Sequence, residues 1–132
     1  MMTALQALRD ALAEIEGVAS VAIGRERNIS PDDYPLIRLE PLRALPGRPY
    51  HQRTVECLAY FGAKIADSEG METVYTALLE MEAAIIEVLR ANGCRYTETI
   101  IEPGAFGPIP ETAYKVSGIR FELPAANQAP TT

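Results

Sequence analysis

METVYTALLEMEAAIIEVLRANG, residues 71–93, is the stretch whose reading decides the fold. Met71, Val74, Leu78, Ile85 and Leu89 recur at multiples of three and four, the repeat of one helix face. Tyr75, Leu79, Met81, Ile86 and Val88 widen that stripe. The helix is expected to begin at Asp67 or Ser68, run to about Asn92 and stop at Gly93. The segments on either side have a different period, and that difference sets the class.

Before the helix, His51–Phe61 places Val55, Cys57, Ala59 and Phe61 at every second position, with Glu56, Leu58 and Tyr60 opposite. This is a strand with one apolar face and one mixed face, and the mixed face suggests a partner or an edge. After the helix, Cys94–Glu102 and Ala113–Leu123 read as two more strands. In the last one, Tyr114 and Val116 share one parity while Ile119, Phe121 and Leu123 share the other. A bulge at Ser117-Gly118 is therefore expected.

Further out, Leu5, Leu8, Leu12 and Ile15 put a narrow stripe on a first helix from about Thr3 to Ile15, with Thr3 as its cap and Gly17 as its stop. Met1 to Arg9 lacks a basic cluster leading into an apolar run, so it reads as the opening of this helix and not as a secretory signal. Val18–Ile23 and Leu36–Glu40 are strands, the second ending before Pro41. Between them NISPDDYP, residues 28–35, is dense in turn formers. The order α-β-β-β-α-β-β predicts an α+β fold, a mainly antiparallel sheet with two helices packed on one face. Residues 1–123 make a single domain, and 124–132 read as a flexible C-terminal tail.

Composition narrows the function. The chain has 132 residues, 48% hydrophobic and 23% charged, with a net charge of −6. A chain of this size needs no disulfide or metal to fold, so Cys57 and Cys94 read as reduced and at least partly buried. The acidic balance argues against bulk nucleic-acid binding, and no apolar run reaches the ~18–20 residues of a membrane span. The charge is uneven. Residues 24–53 hold six arginines against four acids, a surplus of +2, whereas residues 54–132 hold five basic residues against eleven acids, or −6. Such a molecule can pair with copies of itself.

A catalytic constellation is not apparent. His51 and Cys57 share a strand face but lie about 20 Å apart at ~3.3 Å per residue; a pairing of His51 with Cys94 is the remaining, disfavoured version. One histidine and two distant cysteines do not make a zinc site. Asp32-Asp33 fits a turn, Glu80, Glu82 and Glu87 fit a solvated helix face, and Gly104-Ala105-Phe106-Gly107 lacks the rest of a phosphate loop. No cofactor is expected. Two features survive: the Pro/Gly/Arg connections 42–50 and 103–111, each expected to be irregular, and the run Arg25-Glu26-Arg27 after the first strand. Arginine and aromatic residues are enriched at protein interfaces. Arg25, Arg27, Arg43, Arg48, Tyr50 and Phe106 are accordingly the candidate subunit-interface residues.

The short N-terminal helix, Gly24-Arg25-Glu26 closing the first strand, Tyr34-Pro35-Leu36-Ile37 entering the second and Tyr60-Phe61-Gly62 ending the third resemble small phage tail-terminator (tail-completion) proteins. The resemblance covers roughly Leu5 to Leu123. It implies a structural role without enzyme activity, metal or cofactor. Members form a ring, usually of six subunits, that caps the finished tail tube and offers a surface for head attachment. The implied partners are further copies of the chain, the tail tube protein and a head-completion or connector protein. The implied location is the host cytoplasm during assembly and then the virion. A reading from a different class is a small cytoplasmic ligand-binding or regulatory domain, possibly dimeric; a cysteine enzyme is a third and weaker one.

Overall fold

A computed structural model describes residues 2–24, 31–33, 35–46, 52–65, 71–105 and 113–126. The elements are α1 (Met2–Leu12), β1 (Ser20–Ile23), a short 3-10 turn (Pro31–Asp33), β2 (Leu36–Leu45), β3 (Gln52–Ile65), α2 (Met71–Ala91), β4 (Arg95–Ala105) and β5 (Ala113–Ala126). The expected α-β-β-β-α-β-β order and α+β class hold. The sheet order is β1-β2-β3-β5-β4. All neighbours are antiparallel except β1 and β2, which run parallel with Ser20 opposite Leu36. Consecutive strands were expected to pair antiparallel, but the link across residues 24–35 has the dozen or so residues that a return to the same end of a sheet requires.

Both helices lie on one face. Leu5, Leu8 and Leu12 of α1 and Leu78, Ile85 and Leu89 of α2 meet Ile37, Leu39, Val55, Cys57, Ala59, Phe61, Ile119, Phe121 and Leu123 in one buried cluster. The alternation in β3 and β5 produces this directly, because every second side chain reaches the helices. α1 starts at Met2, so Thr3 lies inside it and does not cap it, and regular helix ends at Leu12 before the expected Ile15. α2 ends as its sequence requires. Gly93 adopts φ +80°, Cys94 N–H donates to Leu89 O at 2.9 Å and Gly93 N–H to Arg90 O at 3.1 Å. This left-handed cap turns the chain into β4 and is natural only to glycine. The expected start at Asp67 or Ser68 lies outside the described residues.

Several strands outrun their expected ends. β2 passes through Pro41 to Leu45, β4 through Pro103 to Ala105, and β5 through Pro124 to Ala126. Tyr60-Phe61-Gly62 does not end β3, which continues to Ile65. Thus residues 42–45 and 103–105 are strand and not irregular connection, and 124–126 pair with Gln52–Thr54 and do not form a tail. The physical reason is shared. β1 ends opposite Leu39, β4 begins opposite Glu122, and β4 is itself an edge, so each proline lies where one side of its strand has no neighbour among the described residues. The bulge expected at Ser117-Gly118 is absent: β5 pairs with β3 without a register shift from Ala113 to Ala126. Irregularities fall instead in β2 between Pro41 and Arg43, and in β4 between Tyr96 and Glu98 and between Ile101 and Ala105.

Candidate functional site

The mixed face of β3 is not an edge, because β3 lies between β2 and β5. It belongs to the sheet face that the helices leave uncovered. Along β1 and β2 this face is closed by a polar clasp. Arg38, 1% exposed, donates through Nη1 to Ser20 Oγ and to Ile37 O, both at 3.0 Å, and Ser20 Oγ donates to Asp33 O at 2.8 Å. The Asp32-Asp33 turn expected from sequence is therefore pinned to the sheet.

Across the remaining strands the face carries a ladder of opposite charges. Arg43 on β2 reaches Glu56 on β3 at 3.1 Å, and Arg120 on β5 approaches Glu56 at 3.9 Å and Glu98 on β4 at 3.7 Å. Arg95 grips Glu122 through two nitrogens, at 2.7 and 3.3 Å. The hydrogen bond from Arg95 holds the Glu122 carboxyl below its ordinary range and pushes the guanidinium further up. Register puts these residues opposite one another: Arg43 faces Glu56, Glu56 faces Glu122, and Glu122 faces Arg95. Interleaved arginines relieve what would be a row of like charges. Ordering a solvated face is what the ladder does.

The cysteines are poor nucleophiles. Both are buried, and desolvation pushes Cys57 up to about 12 and Cys94 to about 11. Neither is a thiolate near neutral pH. Nor do they bridge. Cys57 is opposite Phe121, which is opposite Tyr96, so β5 lies between the two cysteines. Two strand spacings amount to about 10 Å between Cα atoms, beyond the ~7 Å limit of a disulfide. Among the described residues no group of three metal-ligating side chains comes together.

Of the six expected interface residues, only Arg43 is described. Arg25, Arg27, Arg48, Tyr50 and Phe106 lie outside the described residues, as does His51. Arg43 is mostly exposed yet already shares Glu56, so it is a member of the ladder and not an isolated charge. Beside it stands a residue the sequence reading missed. Pro41 faces Cys57 and Arg43 faces Glu56, so Leu42 is the extra residue of the β2 bulge, 43% exposed. A proline inside a strand was the available signal, since prolines in strands mark edges and bulges.

A second apolar surface lies on α2. Tyr75 and Leu79, one turn apart, are exposed despite belonging to the widened stripe. They border a small notch floored by Phe61, Leu78 and Ser117. Ser117 is 1% exposed, and its Oγ has no hydrogen-bond partner among the described residues. On the far side of α2, Ile15, Val18, Ala77, Met81 and Ala84 line an open cleft of about 220 Å³ rimmed by Glu16 and Glu80. No described helix is long and apolar enough to cross a membrane. No protein-family model matches the chain, and no curated protein matches it.

Proposed function

We propose that the chain is a structural virion assembly protein of a long-tailed phage or prophage: a homo-oligomeric tail terminator or connector whose ring caps the tail tube and joins it to the head. The carrying observation is that the molecule has two unlike surfaces. One is the bulged, arginine-bearing end of β2 with exposed Leu42. The other is α2, where four glutamates stand against one arginine and Tyr75 and Leu79 are exposed. A ring needs one patch that meets a different patch on the next copy, whereas a two-fold dimer needs a patch that meets itself. The resemblance of the element order and strand-end phrases to tail-terminator proteins supports the same reading. In this role the partners are further copies of the chain, the tail tube protein below and a head-completion protein above. The protein would act in the host cytoplasm during assembly and remain in the neck of the virion.

The test is native mass spectrometry over a wide concentration series at low and moderate salt. A closed ring, six subunits by the resemblance, is the expected result, weakening as salt screens the unlike charges. A stable dimer at every concentration would overturn the reading in favour of a regulatory domain. The cleft between α2 and the α1–β1 turn is the observation on that side. Its 220 Å³ is below the ~300–1,000 Å³ of most small-molecule sites and it is open, which leaves the assembly reading ahead.

A further inference from the structure

We infer that successive copies of this chain meet head to tail, with the bulged residue Leu42 of one copy seated on the Tyr75–Leu79 seam of the next. This rests on the assembly reading above and names its contact.

The first support is the bulge. An extra residue in a strand is unpaired and redirects its side chain, and such insertions recur at sheet edges and near functional sites. Here the residue redirected is a leucine, which gains nothing from solvent. Among the described residues no strand pairs with β2 on that side beyond Leu39, where β1 ends. The second support is position. β2 stands toward one side of the sheet, while Tyr75 and Leu79 border Thr99 of β4 and Ser117 of β5 at the opposite side. Patches on opposite sides suit a head-to-tail contact that repeats.

Charge is the third support, and it selects the occupant. Leu42 is followed by Arg43, whose side chain is 65% exposed while it also holds Glu56. The seam is flanked by Glu72 and Glu82 on a helix of net −3, four glutamates against one arginine. A second copy brings the complementary sign together with the complementary apolar side chain.

The experiment uses Leu42→Cys, Leu79→Cys and the double variant, each treated with a mild oxidant and run without reductant. Both positions are exposed, and the native cysteines are buried, so new bridges report contact between copies. The expected result is a ladder of covalent multimers from the double variant and none from either single variant. Covalent dimers from a single variant would mean a symmetric contact and would overturn the inference. A ring by native mass spectrometry without cross-linking in the double variant overturns this contact and leaves the assembly reading standing. A chain that is monomeric at millimolar concentration and never cross-links removes both. Melting curves matching the parent confirm that each variant is folded.

Discussion

Ile85→Ala and Leu79→Ala together test which side of α2 faces the sheet, the premise on which every surface assignment rests. Ile85 is fully buried against the core, whereas Leu79 is 50% exposed. Each substitution removes three carbons, but only Ile85 loses their full transfer free energy, about 2.4 kcal/mol at ~0.8 kcal/mol per carbon. A residual cavity adds to that, and the higher helix propensity of alanine subtracts a few tenths, leaving a cost of about 3 kcal/mol. Leu79, half in solvent and beside no closed core, should cost about 1 kcal/mol. Urea unfolding followed by far-UV circular dichroism separates the two. With a slope of ~1.5 kcal/mol per molar, Ile85→Ala lowers the midpoint by about 2 M and Leu79→Ala by well under 1 M. Because a domain of this size has only ~5–15 kcal/mol of stability, the first variant should remain folded but visibly weakened. Equal costs, or a larger cost at Leu79, would show that α2 is rotated about its axis and would refute the assignment of its open face. The measurement is made at low protein concentration, so that assembly does not stabilise one variant over the other.

Three further predictions follow from single features. Gly93→Ala should destabilise by about 1 kcal/mol, because the ~1–2 kcal/mol cost of a left-handed alanine outweighs the entropy it removes from the unfolded chain; Gly93→Asn should cost less, and a stabilised alanine variant would contradict the cap. The Glu122 carboxyl is lowered by Arg95, so its contribution is present above the ordinary value of 4.5 and lost as pH falls through the lower folded value. Glu122→Gln should therefore slightly flatten the acid side of the stability profile, as suits so exposed a pair, and high salt should shrink the difference. Cys57 and Cys94 should react far more slowly than free cysteine with a neutral thiol reagent until the chain unfolds; one fast thiol in the folded protein would restore the enzyme reading.

The parts of the fold that were legible in the sequence are those in which one period persists under one constraint. The α2 stripe and the β3 alternation are long, and each has a face against the core, so the pattern has nowhere else to go. The strand ends were not legible, because proline marks a break only where a strand has neighbours on both sides. At Pro41 and Pro124 one neighbour has already ended, and Pro103 is in edge strand β4, information that exists only after the sheet order is known. The parallel β1–β2 pair was hidden for the same reason. The parity change in β5 led to a bulge at Ser117, yet β5 is regular against β3 and the extra residues are in β4 opposite. Of the candidate surface, charge asymmetry and Arg43 were readable. Leu42, Tyr75 and Leu79 were not, since an apolar residue on a periodic element reads as core until its neighbours are placed.

The β2 bulge has a mechanical reason as well as a proposed use, and the two can be separated. Ile37, Leu39 and Pro41 alternate on the parity of the core face, where Ile37 and Leu39 are fully buried. Continued without interruption, that parity would carry Arg43 past Glu56 to a place opposite Val55 and break its ion pair with Glu56. The inserted Leu42 resets the count, so that Arg43 comes out opposite Glu56 on the open face. Deleting Leu42 does not undo this reset. It brings Arg43 directly after Pro41, into the place opposite Glu56 that a regular strand would give it, with Ala44 still opposite Val55. The deletion variant should therefore fold with nearly the parent stability, within about 1 kcal/mol, while losing the projecting leucine. If Leu42 exists to correct parity alone, rings persist in the deletion variant. If it also makes the contact between copies, the variant is a well-folded monomer by native mass spectrometry at concentrations where the proposed ring of the parent is expected. A variant that fails to fold would sink the register argument itself, because the strand on either side of the deletion keeps every partner it had.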